Sequence, residues 1–327
     1  MTDAVTDSFP RQYARTQRLT LGEPRNITVS PEGRRVVFAR SRGGSDPVNC
    51  LWVLDVEPAL DGPPVVGEER LVADPRALLA GDEGDLPPEE RARRERARER
   101  AGGIVAFAAD LDLTVASFAL AGRLFVADLR GPDAAGGVRE LPVGGGVLDP
   151  RVDPTGARVA WVAGRALHVA ELDGSASAPR RLVGEDDPEV SWGLAEFLAA
   201  EEMDRSRGFW WSPDGRRLAV ARVDLRRVRR FHLTDPANPA IEPVALPYPA
   251  AGTDNAEVSL HVVDLAGRRV EVAWDRAAYP YLVSVGWEAG APLTLLVQTR
   301  DQTATQVLAA DPGTGATTEL AAQHDPA

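Results

Sequence analysis

The residues with the most distinctive chemistry are two adjacent glutamates, Glu201 and Glu202. They lie in the stretch "GLAEFLAAEEMDRSRGFWWSPDG", residues 193–215, after a short apolar run with helical periodicity. Two neighbouring carboxylates repel each other and cost free energy unless a cation or several hydrogen-bond donors compensate. A primary ammonium group brings one positive charge and three donors, so it suits such a pair.

The element that carries the glutamates has to end close to them. Adjacent residues on a helix diverge by about 100°, so the two carboxylates can converge on one ligand only where the helix ends or kinks. The strand-like "GFWW" that begins at Gly208 predicts such an end. Five apolar residues are expected to anchor this helix: Trp192, Leu194, Ala195, Phe197 and Leu198.

The residues alone leave two interpretations of the pair open. It is either a cation-binding site or a structural pair neutralised by Arg205, Arg207 or an arginine-rich segment further upstream. That segment, "LPPEERARRERARER" at residues 86–100, starts with two prolines and carries many acid–base pairs at i,i+4 spacing. It is therefore predicted to be a helix, and the ordinary structural interpretation is a solvated surface helix.

The rest of the chain is predicted to be all-β. Pro-containing turns followed by Gly recur at residues 30–33, 153–156 and 212–215, each between two strand-like runs. Proline presets φ at the second turn position and glycine accepts a positive φ at the fourth, so each turn connects antiparallel strands. About five such units are present, with a period of about 40 to 45 residues that is typical of β-propeller blades. A β-sandwich is the alternative.

The predicted organisation is a leader segment at residues 1–20 followed by a propeller over residues 21–327. Two helical insertions are expected within the propeller, at about residues 75–102 and 185–207. The final hairpin comes before a propeller of eight blades could close, because eight blades need about 350 residues or more. We therefore expect an incomplete propeller, either a fragment of a longer gene product or the product of a truncated or interrupted gene.

Composition narrows the function classes. The chain has 327 residues, 44% of them hydrophobic, so it can bury a substantial core. Its net charge of -12 argues against binding to nucleic acid or to an anionic membrane. There is no signal-peptide pattern and no apolar run of about 18 residues, so we expect a cytoplasmic protein. The single cysteine, Cys50, is expected in the core, and no spacing indicates a metal or another cofactor.

Several stretches resemble one family, the dipeptidyl peptidase IV group of prolyl oligopeptidase-type serine peptidases. The double-glutamate stretch is the most specific of them, and it is most similar to the cytosolic dipeptidyl peptidases eight and nine and their bacterial relatives. Similar stretches are residues 87–110, which include the arginine-bearing helix, and "YPAAGTDNAEV" at residues 248–258. Residues 9–41 resemble the entry to the family's propeller.

The resemblance implies a function for each matching residue. Paired glutamates in this family bind the free α-amino group of a peptide, which places Glu201 and Glu202 in that role. An arginine that binds the peptide carbonyl would come from the helix at residues 86–100, and Arg94 is the chosen candidate. The implied substrates are peptides with a free N-terminus, from which N-terminal dipeptides are removed, and the implied full-length protein can form a homodimer.

The sequence also departs from the family. Peptide hydrolysis needs a serine in a G-x-S-x-G turn together with an aspartate and a histidine, and no G-x-S-x-G is present. The four histidines are scattered through the chain. We therefore expect the C-terminal α/β-hydrolase domain to be missing and this chain to be inactive by itself. The predicted function is the substrate-recognising part of a dipeptidyl peptidase, and the alternative is a non-catalytic propeller that acts as a stand-alone binding module.

Overall fold

The fold was analysed in a computed structural model, which describes residues 8–57, 59, 62–79, 102–131, 137–174 and 178–325. The chain divides into two compact units. Unit 1 comprises residues 1–161 and 170–177, and unit 2 comprises residues 162–169 and 178–327. Over the described ranges, none of the helices has the length and apolar character needed to cross a membrane.

One type of tight turn recurs between neighbouring strands. In each predicted Pro-containing turn the glycine N–H donates to the carbonyl of the first turn residue, and the glycine has a φ of 66° to 74°. The three turns at residues 30–33, 153–156 and 212–215 are therefore confirmed. The same hydrogen bond also closes turns without proline, among them those at residues 110–113, 264–267 and 299–302.

Unit 1 begins with a short helix and a six-stranded sheet. Helix α1 is Phe9–Arg15, and helix α2, Pro75–Leu78, follows the sheet's fifth strand. The strands run in the order β1-β2-β3-β4, and β5 and β6 also pair with β3. Their bounds are Arg25–Val29 (β1), Arg35–Ser41 (β2), Val48–Glu57 (β3), Val65–Val66 (β4), Arg70–Ala73 (β5) and Gly102–Gly103 (β6).

Two four-stranded antiparallel sheets follow. The order in the first is β10-β9-β8-β7, with bounds Ala108–Ala109 (β7), Val115–Leu120 (β8), Arg123–Asp128 (β9) and Val138–Leu141 (β10). The order in the second is β11-β12-β13-β14, with bounds Leu148–Val152 (β11), Arg158–Ala163 (β12), Ala166–Glu171 (β13) and Arg180–Val183 (β14).

A five-stranded sheet in unit 2 carries the candidate site. Its order is β15-β17-β20-β21, and β16 pairs with the same strand β17. Helix α3, Phe197–Glu202, lies in the chain between β15 and β16. The strand bounds are Val190–Trp192 (β15), Phe209–Trp211 (β16), Arg217–Asp224 (β17), Glu257–Asp264 (β20) and Arg269–Glu271 (β21). A separate two-stranded hairpin consists of Arg230–Leu233 (β18) and Val244–Pro247 (β19).

The last sheet is a four-stranded meander in the order β22-β23-β24-β25. It is formed by Tyr281–Gly286 (β22), Leu293–Gln298 (β23), Ala304–Ala310 (β24) and Thr317–His324 (β25). Its inward residues, among them Leu293, Leu295 and Val297, pack in one core cluster with residues of β17 and β20. Alternate residues of a strand point to one face, so this pattern follows from the sequence Leu-x-Leu-x-Val.

The all-β prediction is confirmed by this series of mainly antiparallel sheets and short helices. Within the predicted insertion at residues 185–207, only the six residues of α3 are helical. Trp192 in the same stretch belongs to strand β15. The predicted helix at residues 86–100, with Arg94, lies outside the described residues. The buried position of Cys50 in β3 agrees with its expected place in the core, and burial raises the pKa of its thiol to about 11.

Candidate active-site loop

The two glutamates lie in a loop that is closed at its base. This loop, residues 193–208 and called the glutamate loop here, leaves the edge of the sheet after β15 and returns at β16. Both strands pair with β17, β15 at Arg222–Asp224 and β16 at Leu218–Val220. Between them, Ala221 of β17 accepts a hydrogen bond from the Gly193 N–H at 2.9 Å and donates one to the Gly208 carbonyl at 2.8 Å.

Glycine is required at the base because the two chain segments almost touch there. A Cβ atom added to Gly208 would lie 2.4 Å from the backbone of Gly193 and Leu194. Gly193 has a φ of 84°, which favours glycine, and a Cβ atom there would lie 2.9 Å from the Val162 side chain. Leu194 and Arg207 form an antiparallel bridge directly above the base. The glutamate loop therefore starts from a narrow, fixed neck.

Helix α3 begins with a carboxylate cap. Glu196 precedes the helix with an extended backbone, and its side chain accepts hydrogen bonds from the Leu198 and Ala199 amides, the latter at 2.8 Å. These amides have no partner within the helix, so the cap satisfies two otherwise unpaired donors. Glu196 is only 9% exposed, so its carboxylate faces the interior and not the solvent.

The helix ends directly after the two glutamates. Asp204 has a left-handed backbone with a φ of 50°, and the Arg205 N–H donates to the Ala199 carbonyl at 2.9 Å. Glu201 and Glu202 are the last two residues of the helix, and both are exposed. The last turn contains no basic residue. Carboxylates at this end face the negative end of the helix dipole, which is the unfavourable arrangement.

Arg205 is buried beneath the helix. Its side chain is 4% exposed, Nε donates to the Leu282 carbonyl of β22 at 3.0 Å, and Nη1 donates to the Arg207 carbonyl at 3.2 Å. Nη2 lies 3.9 Å from Oε1 of Glu196. Burial lowers the pKa of the guanidinium from its ordinary value, and the nearby Glu196 carboxylate opposes that shift. Arg205 thus contacts the cap of the helix and a neighbouring strand together.

A polar network surrounds Trp192 at the other side of the neck. Its indole Nε1 donates to Glu185, and Arg222 binds the same carboxylate through two hydrogen bonds of 2.7 and 3.0 Å. The hydrogen bond with Arg222 holds the pKa of Glu185 below its usual value. The His261 ring lies 4.8 Å from the indole ring, and the guanidinium of Arg269 lies 5.1 Å from it.

An aromatic contact flanks the helix. The Phe197 ring meets the Tyr248 ring edge to face at 5.2 Å. Phe197 and Glu201 are four residues apart on α3, so they share one face of the helix. Tyr248 lies in the stretch that resembles the family segment at residues 248–258, and it is 45% exposed. An apolar surface therefore lies on the side of the helix that also carries Glu201.

The structure places Glu201 and Glu202 at the helix end that the sequence predicted. Of the proposed internal partners, Arg205 is directed to Leu282 and Glu196, and Arg207 donates two hydrogen bonds to the Phe209 carbonyl. Arg94 lies outside the described residues. Over the part of the chain that the structure describes, no cluster of His, Cys, Asp and Glu is suited to a metal ion.

The sequence did not reveal Glu196 as the cap of the helix, and it offered Arg205 only as a possible partner of the glutamate pair. Glutamate is not among the preferred N-cap residues, so its position three residues before Ala199 gave little signal. Arg205 is one of 37 basic residues in the chain. Only its contact with Leu282, 77 positions away, distinguishes it from the others.

Comparisons with known proteins give consistent matches. The family described as dipeptidyl peptidase IV N-terminal region matches residues 118–326, which include the glutamate loop. Dipeptidyl peptidase 8 of Mus musculus is 29% identical over 151 residues, which cover 39% of this chain and 17% of that protein. Inactive dipeptidyl peptidase 10 of Mus musculus is 40% identical over 78 residues, covering 23% of this chain and 10% of that protein.

The fold is shared with a solved bacterial structure. Dipeptidyl peptidase 4 of Porphyromonas gingivalis superposes with a TM-score of 0.69 at 16% sequence identity, over 98% of this chain and 42% of that one. This chain therefore spans less than half the length of the bacterial protein.

Proposed function

Since this chain belongs to the family of dipeptidyl peptidase IV N-terminal regions, we propose that it recognises peptide substrates for the removal of N-terminal dipeptides. Glu201 and Glu202 bind the free α-amino group of the peptide. By holding the N-terminus of the peptide, they set how far the peptide extends towards a hydrolase centre. This distance determines which peptide bond that centre meets. The hydrolytic chemistry itself is assigned to a serine peptidase domain in the full-length protein.

The observation that supports this proposal is the placement of the two carboxylates. Both are exposed in the last turn of a six-residue helix, beside each other and without a basic residue in that turn. Mutual repulsion and the helix dipole both disfavour two adjacent carboxylates at this end of a helix. A ligand with a positive charge and several donors relieves both costs, and an α-ammonium group has these properties.

Peptide binding to the 327-residue chain tests the proposal. The dipeptide alanyl-proline is titrated in its free-amine form and in its N-acetylated form, and binding is followed by NMR. We expect a dissociation constant of about 1 mM for the free amine, because the contact is limited to one charged group. The N-acetylated form should bind at least roughly tenfold more weakly.

The glutamate variants carry the decisive comparison. Glu201→Gln and Glu202→Gln each remove one charge, and the double variant should abolish the preference for the free amine. The matched control is the double variant of Glu68 and Glu69, another exposed adjacent pair in this chain, which should bind as the wild type does. Equal binding of both peptide forms by the wild-type chain would refute the proposal.

A second candidate is a stand-alone binding module without catalysis. The similarity to a relative whose name describes it as inactive favours it, and the glutamate pair would then serve as an ammonium sensor. Labelling by a serine-directed phosphonate distinguishes the two candidate functions. The reagent labels a full-length peptidase but not a binding module. The absence of a G-x-S-x-G turn from this chain predicts no labelling of the 327 residues themselves.

Four further features remain part of the proposal. The sheets are arranged as blades of a propeller of about five blades, Arg94 binds the peptide carbonyl, and the protein is cytoplasmic and forms a homodimer in its full-length form. The fold shared with the Porphyromonas gingivalis protein supports the first of these.

A further inference from the structure

Arg205 is an unusual residue because a charged side chain is buried without a full set of partners. The residue is 5% exposed, and its Nη2 atom has no hydrogen-bond acceptor among the described residues. Burying a charge costs several kcal/mol unless good geometry repays it. The 3.9 Å separation from Glu196 is too long for a hydrogen bond, so stability alone does not explain this arginine.

The contacts of Arg205 point in three directions. Nη2 faces the Glu196 carboxylate, which caps the start of α3, and Nη1 donates to the Arg207 carbonyl near the neck of the glutamate loop. Nε donates to the Leu282 carbonyl, where β22 carries a bulge between Leu282 and Ser284. A bulge interrupts the regular strand pairing locally. The planar guanidinium therefore connects the helix cap, the neck and a neighbouring strand.

Helix α3 needs such a connection. Six residues are too few for a helix to be stable by itself, and Ala199 is the only residue of α3 that is fully buried. The direction of the helix is therefore set mainly by contacts at its two ends. Glu196 holds the first turn, and the Arg205 N–H closes the last turn on Ala199. The Arg205 side chain joins these two ends to β22.

We propose that Arg205 is a positioning residue that holds the end of α3 in place, so that Glu201 and Glu202 meet the α-amino group of a peptide together. This inference rests on the proposed function of the glutamate pair. Arg205 does not touch the peptide. It acts through the buried Glu196 cap and the Leu282 carbonyl, and a lysine cannot replace it because one ammonium group cannot reproduce the rigid fork of donors.

The test measures alanyl-proline binding by the full 327-residue chain carrying Arg205→Lys or Arg205→Met. We expect each variant to bind the free-amine peptide roughly tenfold more weakly, as for the loss of one well-placed charged contact. Amide hydrogen exchange of residues 198–203 should become faster, with exchange in β23 and β24 unchanged. The matched control is Arg158→Lys, which alters a partly buried arginine that pairs with a glutamate, Glu171, at 2.9 Å. It should change neither readout.

A combined variant separates this inference from the proposed function. In a chain that already carries Glu201→Gln and Glu202→Gln, the further change Arg205→Lys should have no effect on peptide binding, because the groups it positions are gone. If the glutamate double variant itself binds normally, the proposed function fails. If that variant loses binding but folded Arg205→Lys binds like the wild type, the positioning role fails while the proposed function stands.

Folding of the variants is checked by near-UV circular dichroism. Should Arg205→Met not fold, Arg205→Lys decides the question, because it keeps the charge and most of the side-chain volume. Global unfolding of both variants would overturn the inference, since Arg205 would then support unit 2 as a whole and not the direction of α3.

Discussion

The imidazole ring of His261 lies 4.8 Å from the indole ring of Trp192, at an angle of 49°. Nε2 of His261 contacts the hydroxyl of Ser259 at 3.0 Å, and Nδ1 has no hydrogen-bond partner among the described residues. Burial, together with the nearby Arg269, Arg222 and Arg276, lowers the pKa of His261 to about 4 against the opposing effect of Glu271.

This relationship predicts a loss of stability in mild acid. A histidine has a pKa of about 6.5 when unfolded, so between pH 6.5 and about 4 the unfolded chain binds a proton that the folded chain does not. The stabilising effect of the neutral ring is present above pH 6.5 and is lost as the pH falls towards 4. The free energy of unfolding, measured with urea, should fall by about 3 kcal/mol over this window from His261.

Substitution isolates this contribution. His261→Gln keeps a polar side chain that does not titrate, so its stability should depend less on pH between 4 and 6.5 than that of the wild type. His232→Gln, which changes an exposed histidine in β18, is the control and should keep the wild-type profile. Identical pH profiles for His261→Gln and the wild type would show that this ring does not titrate as its burial implies.

The cap of α3 should be costly to remove. Glu196→Ala deletes two hydrogen bonds to helix amides and leaves the buried Arg205 without a nearby carboxylate, so the free energy of unfolding should fall by roughly 3 kcal/mol. Glu196→Gln keeps an acceptor for one amide and should lose about half as much. Urea denaturation of both variants measures the effect, and a stability of Glu196→Ala equal to that of the wild type would contradict it.

The neck of the glutamate loop should not tolerate a side chain. Gly208→Ala places a Cβ atom 2.4 Å from the backbone of Gly193 and Leu194, so the strands must separate, at a cost of about 3 kcal/mol. Gly145→Ala is the control because an added Cβ there meets no atom within 4 Å. Thermal melts of the two variants should differ by several degrees. Equal melting temperatures would mean that the neck opens without strain.

Replacement of Arg94 tests the remaining site prediction. If Arg94 binds the peptide carbonyl, Arg94→Ala should weaken alanyl-proline binding severalfold and leave the free energy of unfolding within about 0.5 kcal/mol. The matched control is Arg96→Ala in the same charged segment. Unchanged binding by Arg94→Ala would assign the arginine to a solvated surface helix.

Local chemistry explains what the sequence could predict. The turn at residues 212–215 and the end of the helix before Gly208 depend on proline, glycine and short-range hydrogen bonds, and both were predicted. The sequence predicts Trp192 as an anchor of the helix, whereas it lies in strand β15, because an apolar residue fits a helical and a strand environment equally well. Its pairing with Arg222 in β17 is a contact between distant parts of the sequence, and no local pattern encodes it.

In the candidate site, too, only the features encoded by the local sequence could be predicted. Glu201 and Glu202 were identified because two adjacent carboxylates are visible in the sequence itself. The supporting contacts of Arg205 were not, since they include a carbonyl of another sheet. A buried arginine and an exposed one have the same letter in the sequence, and only the fold distinguishes them.

Closure of the glutamate loop on Ala221 has a consequence for how this protein can diversify. Because Gly193 and Gly208 both bond to the same residue of β17, the 14 residues between them form a module whose ends do not move when its contents change. Lengthening such a closed loop costs only about 0.6 kcal/mol per doubling. Insertions or deletions within this module are therefore expected to leave the register of the sheet that carries it unchanged.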